Sequence, residues 1–235
     1  MTERWGRADL HMHTRASDGL PTVQQLLTYV ARERHLDVLA ITDHDTLDAS
    51  LWAYEQRHLY PFEIVPGVEV TTREGHVLGL WVTQPIPKHM SLKETATAIH
   101  EQGGLAVLAH PGEVLIVGMH AWRHLRQPQV LLDAGLDALE VVNAGAITPG
   151  HNWLARQINA KAGLPVTGSS DAHTLRGIGC GVTRFPGRSA ADLRAAITAG
   201  QTLAEGISWP IIDYLKISPV SIRGTLTGFL ARSLR

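Results

Sequence analysis

One thiol, Cys180, is all the sulfhydryl chemistry this chain has. That excludes an internal disulfide and a thiolate-built zinc site, fits a reducing compartment, and leaves Cys180 as a small buried residue without chemistry. Long apolar runs are missing too. None approaches the ~18 residues of a membrane-spanning helix, and the charged opening Met1 to Arg7 has no apolar stretch behind it as a secretory leader would. A cytoplasmic protein is expected. Nor is there an excess of charge of one sign. Lys+Arg 21 against Asp+Glu 22 excludes the strongly basic character of a non-specific nucleic-acid binder, although a local basic groove stays compatible with it. Internal repeats and low-complexity stretches are absent, and 235 residues suit one undivided domain, a size that α/β barrels reach.

Histidine is what the chain has in quantity: thirteen, against three Phe and four Tyr. The first two, His11 and His13, are spaced so that both rings would face one side of a strand running from Ala8. Neutral imidazoles converging in this way are good ligands for Zn, Mn or Fe. The pattern then recurs. Thr42-Asp43-His44-Asp45 follows the apolar run Leu36 to Ile41, Glu69 follows Ile64-Val65, His110 follows Leu105 to Leu108, and Asp171 and His173 follow Val166-Thr167. Short buried strands that end repeatedly in His, Asp or Glu are the layout of an α/β barrel with its site at the carboxyl ends of parallel strands.

Periodicity supports that architecture. Leu26, Leu27, Val30 and Ala31 mark a helix from about Thr22. Val38 to Thr42 reads as a strand, and Leu47 toward Leu59 as a helix capped by Asp45 or Thr46. Glu63 to Val65 reads as a strand closed by the turn Pro66-Gly67. His76 to Trp81 reads as another, hairpin-paired with the segment ending at Thr71 or Thr72. Ser91 and Glu94 form a capping-box pattern opening a helix to Gln102, with Gly103-Gly104 as its stop. Strands are expected at Leu105 to Ala109, Ala138 to Val142, Val166 to Ser169 and Cys180 to Thr183; helices at Trp122 to Leu132, Trp153 to Ala162 and Ala190 to Ala199. The β-α unit repeats about seven times, which favours a parallel sheet closed into a barrel over residues 1–205. Past Gly206 the pattern changes. After Asp213 no acidic residue occurs, while Lys216, Arg223, Arg232 and Arg235 do, so residues 206–235 are expected to form a basic arm packed on the barrel.

These motifs, in this order, resemble the polymerase-and-histidinol-phosphatase (PHP) family of metal-dependent phosphoesterases. The resemblance covers about Arg7 to Thr183: H-x-H at His11 and His13, S-D-G at Ser17-Asp18-Gly19, T-D-H-D-T at Thr42 to Thr46, P-G-x-E at Pro66 to Glu69, G-H-x-L-G at Gly75 to Gly79, A-H-P at Ala109 to Pro111, and the G-S-D-A-H element between Gly168 and His173, with one residue of ambiguity in its serines. It implies a distorted (β/α)7 barrel with two to three divalent ions. His11, His13, Glu69 and Asp171 would hold the first ion, Asp18, His44 and His173 the second, and Glu69, His76 and His110 the third. Asp171, His173 and Glu69 are the implied catalytic residues. Six neutral imidazoles and three carboxylates leave three divalent ions with net positive charge, suited to an anionic phosphate and a bridging hydroxide.

The substrate so implied is a small phosphomonoester or a phosphodiester or nucleotide end. A phosphate-binding enzyme normally supplies an Arg, a Lys or an amide to its substrate. Arg15, Asn143 and Arg184 are the candidates. Only 41 positions separate Glu69 from His110, too few for the capping insertion common in nucleotide-acting relatives, so an open mouth with loose selectivity is expected. His120, His124 and His151 lie near that mouth. His35, His58 and His100 read as surface or satisfied core residues. Asp43 is expected to orient a ligand imidazole and Asp45 to cap the following helix. Two other readings stand beside the hydrolase: a non-catalytic metal-binding PHP module, and a C–N hydrolase of the amidohydrolase kind, which would want a bridging Lys or Glu on the fourth strand.

Overall fold

The computed structural model describes residues 4–217. Its first strand, β1 (Trp5–Asp9), pairs in parallel with β2 (Val38–Ile41), and β2 pairs in parallel with β3 (Glu63–Thr71). Helix α1 (Val23–Glu33) connects the first pair and α2 (Asp48–Glu55) the second. Antiparallel β4 (His76–Leu80) follows β3 in a hairpin, then α3 (Leu92–His100) leads to β5 (Leu105–Leu108), which lies antiparallel to β4. Three short helices, α4 (Val114–Val117), α5 (His120–Arg126) and α6 (Gln129–Asp133), separate β5 from β6 (Ala138–Asn143). After α7 (His151–Ala162) and β7 (Val166–Ser169), the chain returns through β8 (Gly181–Pro186), α8 (Ala190–Thr198) and β9 (Leu203–Gly206).

The resulting nine-stranded sheet has the order β7-β6-β5-β4-β3-β2-β1-β8-β9. It curls until its seventh and first strands meet. Just beyond them His13 N–H donates to the Ala172 carbonyl at 2.8 Å, and Ser170 N–H donates to the Asp9 carboxylate at 3.0 Å. This is the expected distorted α/β barrel, nearly closed, but it is not all parallel. β4 runs against both neighbours and β8 runs against β1. Alternate residues separate the layers, as the pleat requires. Val38 and Ala40 join a cluster with Ala8 of β1, Val107 of β5 and the residues Leu10 and Ala109 just beyond those two strands, whereas Leu39 and Ile41 pack with Leu26, Leu27 and Val30 of α1.

Several local expectations need correction. The strand before the paired histidines ends at Asp9, and His11 to His13 lie beyond it on a segment bridged to Ala172. Pro66-Gly67 is no turn: β3 runs through it and changes partner there, from Ile41↔Pro66 to Gly67↔Leu80. The Gly67 N–H is satisfied by Ser50 Oγ at 2.8 Å, so the chain stays extended without an orphaned donor. The helix expected over Trp122 to Leu132 is two helices, broken at Pro128, which has no N–H to continue the first. Residue Leu47, without a side-chain bond, precedes α2; Asp45 instead accepts the Thr71 N–H at 2.8 Å, and only Thr46 Oγ, at 3.3 Å from Asp48 N, acts near that helix. β9 had no counterpart in the sequence reading. The capping boxes at Thr22/Gln25 and Ser91/Glu94 close both α1 and α3. Of the C-terminal arm, Lys216 is described, and Arg223, Arg232 and Arg235 lie outside the described residues.

Candidate metal centre

The barrel delivers its polar residues to one end. β1 and β2 run toward it, so His11, His13 and His44 come just after them, and the His44↔Glu69 bridge sets imidazole beside carboxylate. β4 runs the other way and presents its first residue, His76, at the same end. His110 follows β5, and Asp171 and His173 follow β7. His110 and Asp171 hold φ of 27° and 51°, a left-handed backbone that costs a non-glycine residue on the order of 1 kcal/mol and is retained where surroundings over-determine it.

Glu69 is the hub and is fully buried. Its Oε2 lies 3.1 Å from His11 Nε2, 3.2 Å from His13 Nε2 and 3.2 Å from His44 Nδ1; its Oε1 lies 2.8 Å from His76 Nδ1 and 3.0 Å from His110 Nε2. Asp171 Oδ1 sits 3.4 Å from His11 Nε2 and 3.2 Å from His13 Nε2. Asp18 Oδ1 is 3.1 Å from His173 Nε2, with His44 Nε2 at 3.9 Å from its other oxygen. All nine residues expected as ligands therefore meet in one place. They form four overlapping groups whose candidate ligand atoms lie within 4.8 Å of one another.

Protons alone do not satisfy this set. The inward nitrogens of His11, His13, His44 and His76 are buried without a hydrogen-bond partner among the described residues, as is Glu69 Oε2. Although burial opposes it, the Asp171 and Glu69 carboxylates, each 3.2 Å away, push His13 up to about 10, while burial and the neighbouring His13 charge drive His44 down to about 4. Burial would neutralise Glu69, Asp171 and Asp18, yet the surrounding imidazoles hold all three well below the usual carboxylate range. Charged carboxylates facing bare imidazole nitrogens fit divalent cations, which neutralise the first and accept lone pairs from the second.

Neighbouring residues fix the ligands' orientation. Glu140, fully buried, stands 3.2 Å from His11 Nδ1 through Oε1, while Oε2 accepts the His110 N–H and an Asn143 Nδ2–H, each at 2.9 Å. A carboxylate behind a histidine sets the tautomer and leaves the far nitrogen free to ligate. Sequence reading missed Glu140; the signal was a lone acid in the apolar strand Ala138–Asn143. Asp43 does not touch an imidazole. It accepts from Thr14 N, Thr14 Oγ1 and Ser17 Oγ at 2.6 to 2.7 Å and so holds the loop carrying Asp18.

The three expected substrate contacts fare differently from the ligands. Asn143 spends its amide on Glu140 and on Asp171 Oδ2 (3.0 Å), and its oxygen accepts from Gly145 and Ala146, so no donor remains for a phosphate. Arg184 pairs with Arg7 at the far end of the barrel because β8 is antiparallel; its Nε donates to the Gly6 carbonyl. Arg15 is exposed, donates Nε to the Leu20 carbonyl at 2.7 Å, and lines a separate cleft with Arg176 and Lys216. The cavity over the cluster, about 160 Å³, is walled by Glu113, Ile116, Ile147 and Trp209, so the mouth is not bare. His120, His124 and His151 do not line it. His151 is committed to the carbonyls of Thr148 and Asn143, and His100 to Asp137.

Known proteins resemble this chain in sequence and fold. An uncharacterised protein of Methanocaldococcus jannaschii is 33% identical over 149 residues, 59% of this chain and 82% of that one. Residues 149–202 match the family model described as PHP-associated. The chain belongs to the PHP family of metal-dependent phosphoesterases. Within PHP relatives, the 5'-3' exoribonuclease Rnm of Salmonella typhimurium is 34% identical over 149 residues, 61% of this chain; the chain spans 45% of that enzyme. A two-domain Bacteroides vulgatus protein described as containing a predicted PHP-like metal-dependent phosphoesterase shares the fold at a TM-score of 0.67 and 21% identity, over 87% of this chain and 66% of that one. Among the described residues no helix is long and apolar enough to cross a membrane.

Proposed function

We propose that this PHP chain hydrolyses a small phosphomonoester, or a phosphodiester or nucleotide end, using two to three Mn, Zn or Fe ions. The observation that carries the reading is the convergence of His11, His13, His44, His76 and His110 on the two oxygens of Glu69. His11, His13, Glu69 and Asp171 would hold one ion, Asp18, His44 and His173 a second, and Glu69, His76 and His110 a third. Bound there, the ions would supply positive charge to the phosphate oxygens and lower the pKa of water.

The chain's own residues do the rest. Glu140 keeps a proton on His11 Nδ1, so Nε2 faces the cluster as a lone pair. The Asp171 carbonyl, 2.9 Å from His173 Nδ1, does the same for His173 and leaves Nε2 toward Asp18. Asn143 steadies the outer oxygen of Asp171. Trp209, 4% exposed and bonded through Nε1 to the Ser170 carbonyl at 2.7 Å, excludes water from the His173 side. The fourth strand, His76–Leu80, carries neither Lys nor Glu, which favours the phosphoesterase over a C–N hydrolase with its bridging residue there.

The names of relatives support the substrate class: the Salmonella protein is a 5'-3' exoribonuclease, and an Eggerthella lenta protein 36% identical over 85 residues is a phosphoribosyl 1,2-cyclic phosphate 1,2-diphosphodiesterase. The test is a panel of phosphomonoesters and a 5'-phosphorylated oligonucleotide offered to protein reconstituted with Mn, Zn or Fe. Turnover that chelator abolishes and metal restores is expected; no turnover of any ester with any of the metals overturns the proposal.

A further inference from the structure

The cavity over the cluster has an unusual rim for a phosphate site. Among the described residues no Arg or Lys lines it. Phosphate-binding sites commonly supply such a cation, because a guanidinium fork matches the anion. Here the walls above the ligands are apolar: Ile116, Ile147 and Trp209. Ile116 and Ile147 are 48% and 63% exposed, and Leu115 and Met119 beside them are each 74% exposed. Exposed apolar side chains such as Ile116 and Ile147 at the edge of a cavity mark a surface that binds something.

The rim is held in place. Glu113, fully buried, accepts the Ile147 N–H at 2.7 Å and the Thr148 N–H at 2.8 Å through one oxygen, and the Leu115 N–H at 3.2 Å and the Thr148 hydroxyl through the other. One carboxylate thus ties the loop after β5 to the loop after β6 and sets Ile116 and Ile147 on the same mouth. On the third side, Trp209 packs against Gly145, where a built Cβ would lie 2.5 Å from the indole, and closely against Gly177. The enclosed volume, about 160 Å³, is well below the ~300 Å³ at which pockets begin to enclose drug-sized ligands. In a cavity of that size the leaving group of a bound phosphate ester lies against the apolar walls.

Resting on the phosphoesterase reading, we infer that Ile116, Ile147 and Trp209 determine specificity by gripping an apolar leaving group. The favoured substrate class is a singly phosphorylated ester of that kind rather than a sugar or polyol phosphate. Ile116 and Ile147 touch the part of the ester that departs; the polar ligands beneath touch only its phosphate. An apolar contact of this sort is worth ~10-fold or more in discrimination.

The test uses the full chain reconstituted with Mn and two esters that both leave as primary alkoxides, benzyl phosphate and glycerol 3-phosphate. Alongside them, calorimetric binding of benzylphosphonate is compared with that of 2-hydroxyethylphosphonate, neither of which can be hydrolysed at a P–O–C bond. Expected results are a kcat/KM at least ~10-fold higher for benzyl phosphate, the same preference in phosphonate binding, and erosion of both preferences by Ile147→Ser or Ile116→Ser, mainly through a KM that rises more for benzyl phosphate than for glycerol 3-phosphate. Equal turnover of the two esters, or variants that slow both alike, would overturn the inference and leave the phosphoesterase standing. Preferential phosphonate binding without turnover of either ester would keep the apolar rim and count against hydrolysis of small phosphomonoesters.

Discussion

Replacing Glu140 by Gln is the most informative single perturbation, because it changes one proton in a shape-conserving way. Glu140 faces three donors: His11 Nδ1–H on Oε1, and the His110 N–H and an Asn143 Nδ2–H on Oε2. The amide keeps one acceptor. Leaving it toward His110 and Asn143 preserves two bonds and turns the new NH2 toward His11. His11 then relieves the clash by moving its proton from Nδ1 to Nε2, the atom 3.1 Å from Glu69 Oε2 and 3.4 Å from Asp171 Oδ1. A protonated Nε2 has no lone pair for a metal. Outer-sphere changes of this type cost 10- to 100-fold in metal affinity, about 1.4 to 2.7 kcal/mol. The fold should suffer less, by about 1 kcal/mol, since every donor keeps a partner. Competition between protein and a chromophoric chelator for Mn, run beside urea unfolding, separates the two effects. Unchanged Mn affinity in a folded Glu140→Gln protein would refute the reasoning.

Further outcomes follow from individual contacts. Asp171→Ala and His11→Ala should each abolish phosphoester turnover while circular dichroism stays that of the wild type, because the barrel's apolar clusters supply most of the burial; activity retained in both would detach the reaction from this cluster. Gly19→Ala places a Cβ 2.4 Å from the His13 carbonyl, so the Asp18 loop must shift, and the variant should bind fewer metal ions per chain than wild type; equal stoichiometry would contradict this. His124, 1% exposed with neither ring nitrogen partnered among the described residues, is lowered by burial from 6.5 to about 4. Its neutral form is the folded form, so its contribution is intact above pH ~6.5 and is lost as pH falls toward ~4, up to about 3 kcal/mol. Urea midpoints of His124→Leu should therefore decline less over that interval than those of wild type, and parallel decline would count against it.

Much of the ligand set was legible because its chemistry does not depend on strand direction. His11, His13 and His44 follow parallel strands, Glu69 lies within β3, and His76 reaches the same end from an antiparallel strand. Arg184 shows the opposite case. Alternating apolar residues announce a strand but not its direction, and an antiparallel β8 carries that guanidinium away from the site. Asn143 was placed correctly above the cluster, but the pattern of residues could not show that both its amide hydrogens were already taken by carboxylates. Pro66-Gly67 misled because its turn propensity is local, while the switch of β3 from one neighbour to another is decided by the whole sheet. The walls of the cavity were hidden for a similar reason: Ile116, Ile147 and Trp209 come from three separate segments that meet only in the folded chain, through contacts such as those of buried Glu113 and of Trp209 against Gly145.

The central claim is that the residues around Glu69 form a site for several metal ions. Elemental analysis of the chain purified without chelator, reconstituted with Mn or Zn and freed of excess ion tests it directly. Nine ligands exceed what one ion of coordination number ~4 to 6 can use, so the account expects two to three ions per chain. A stoichiometry at or below one would contradict it.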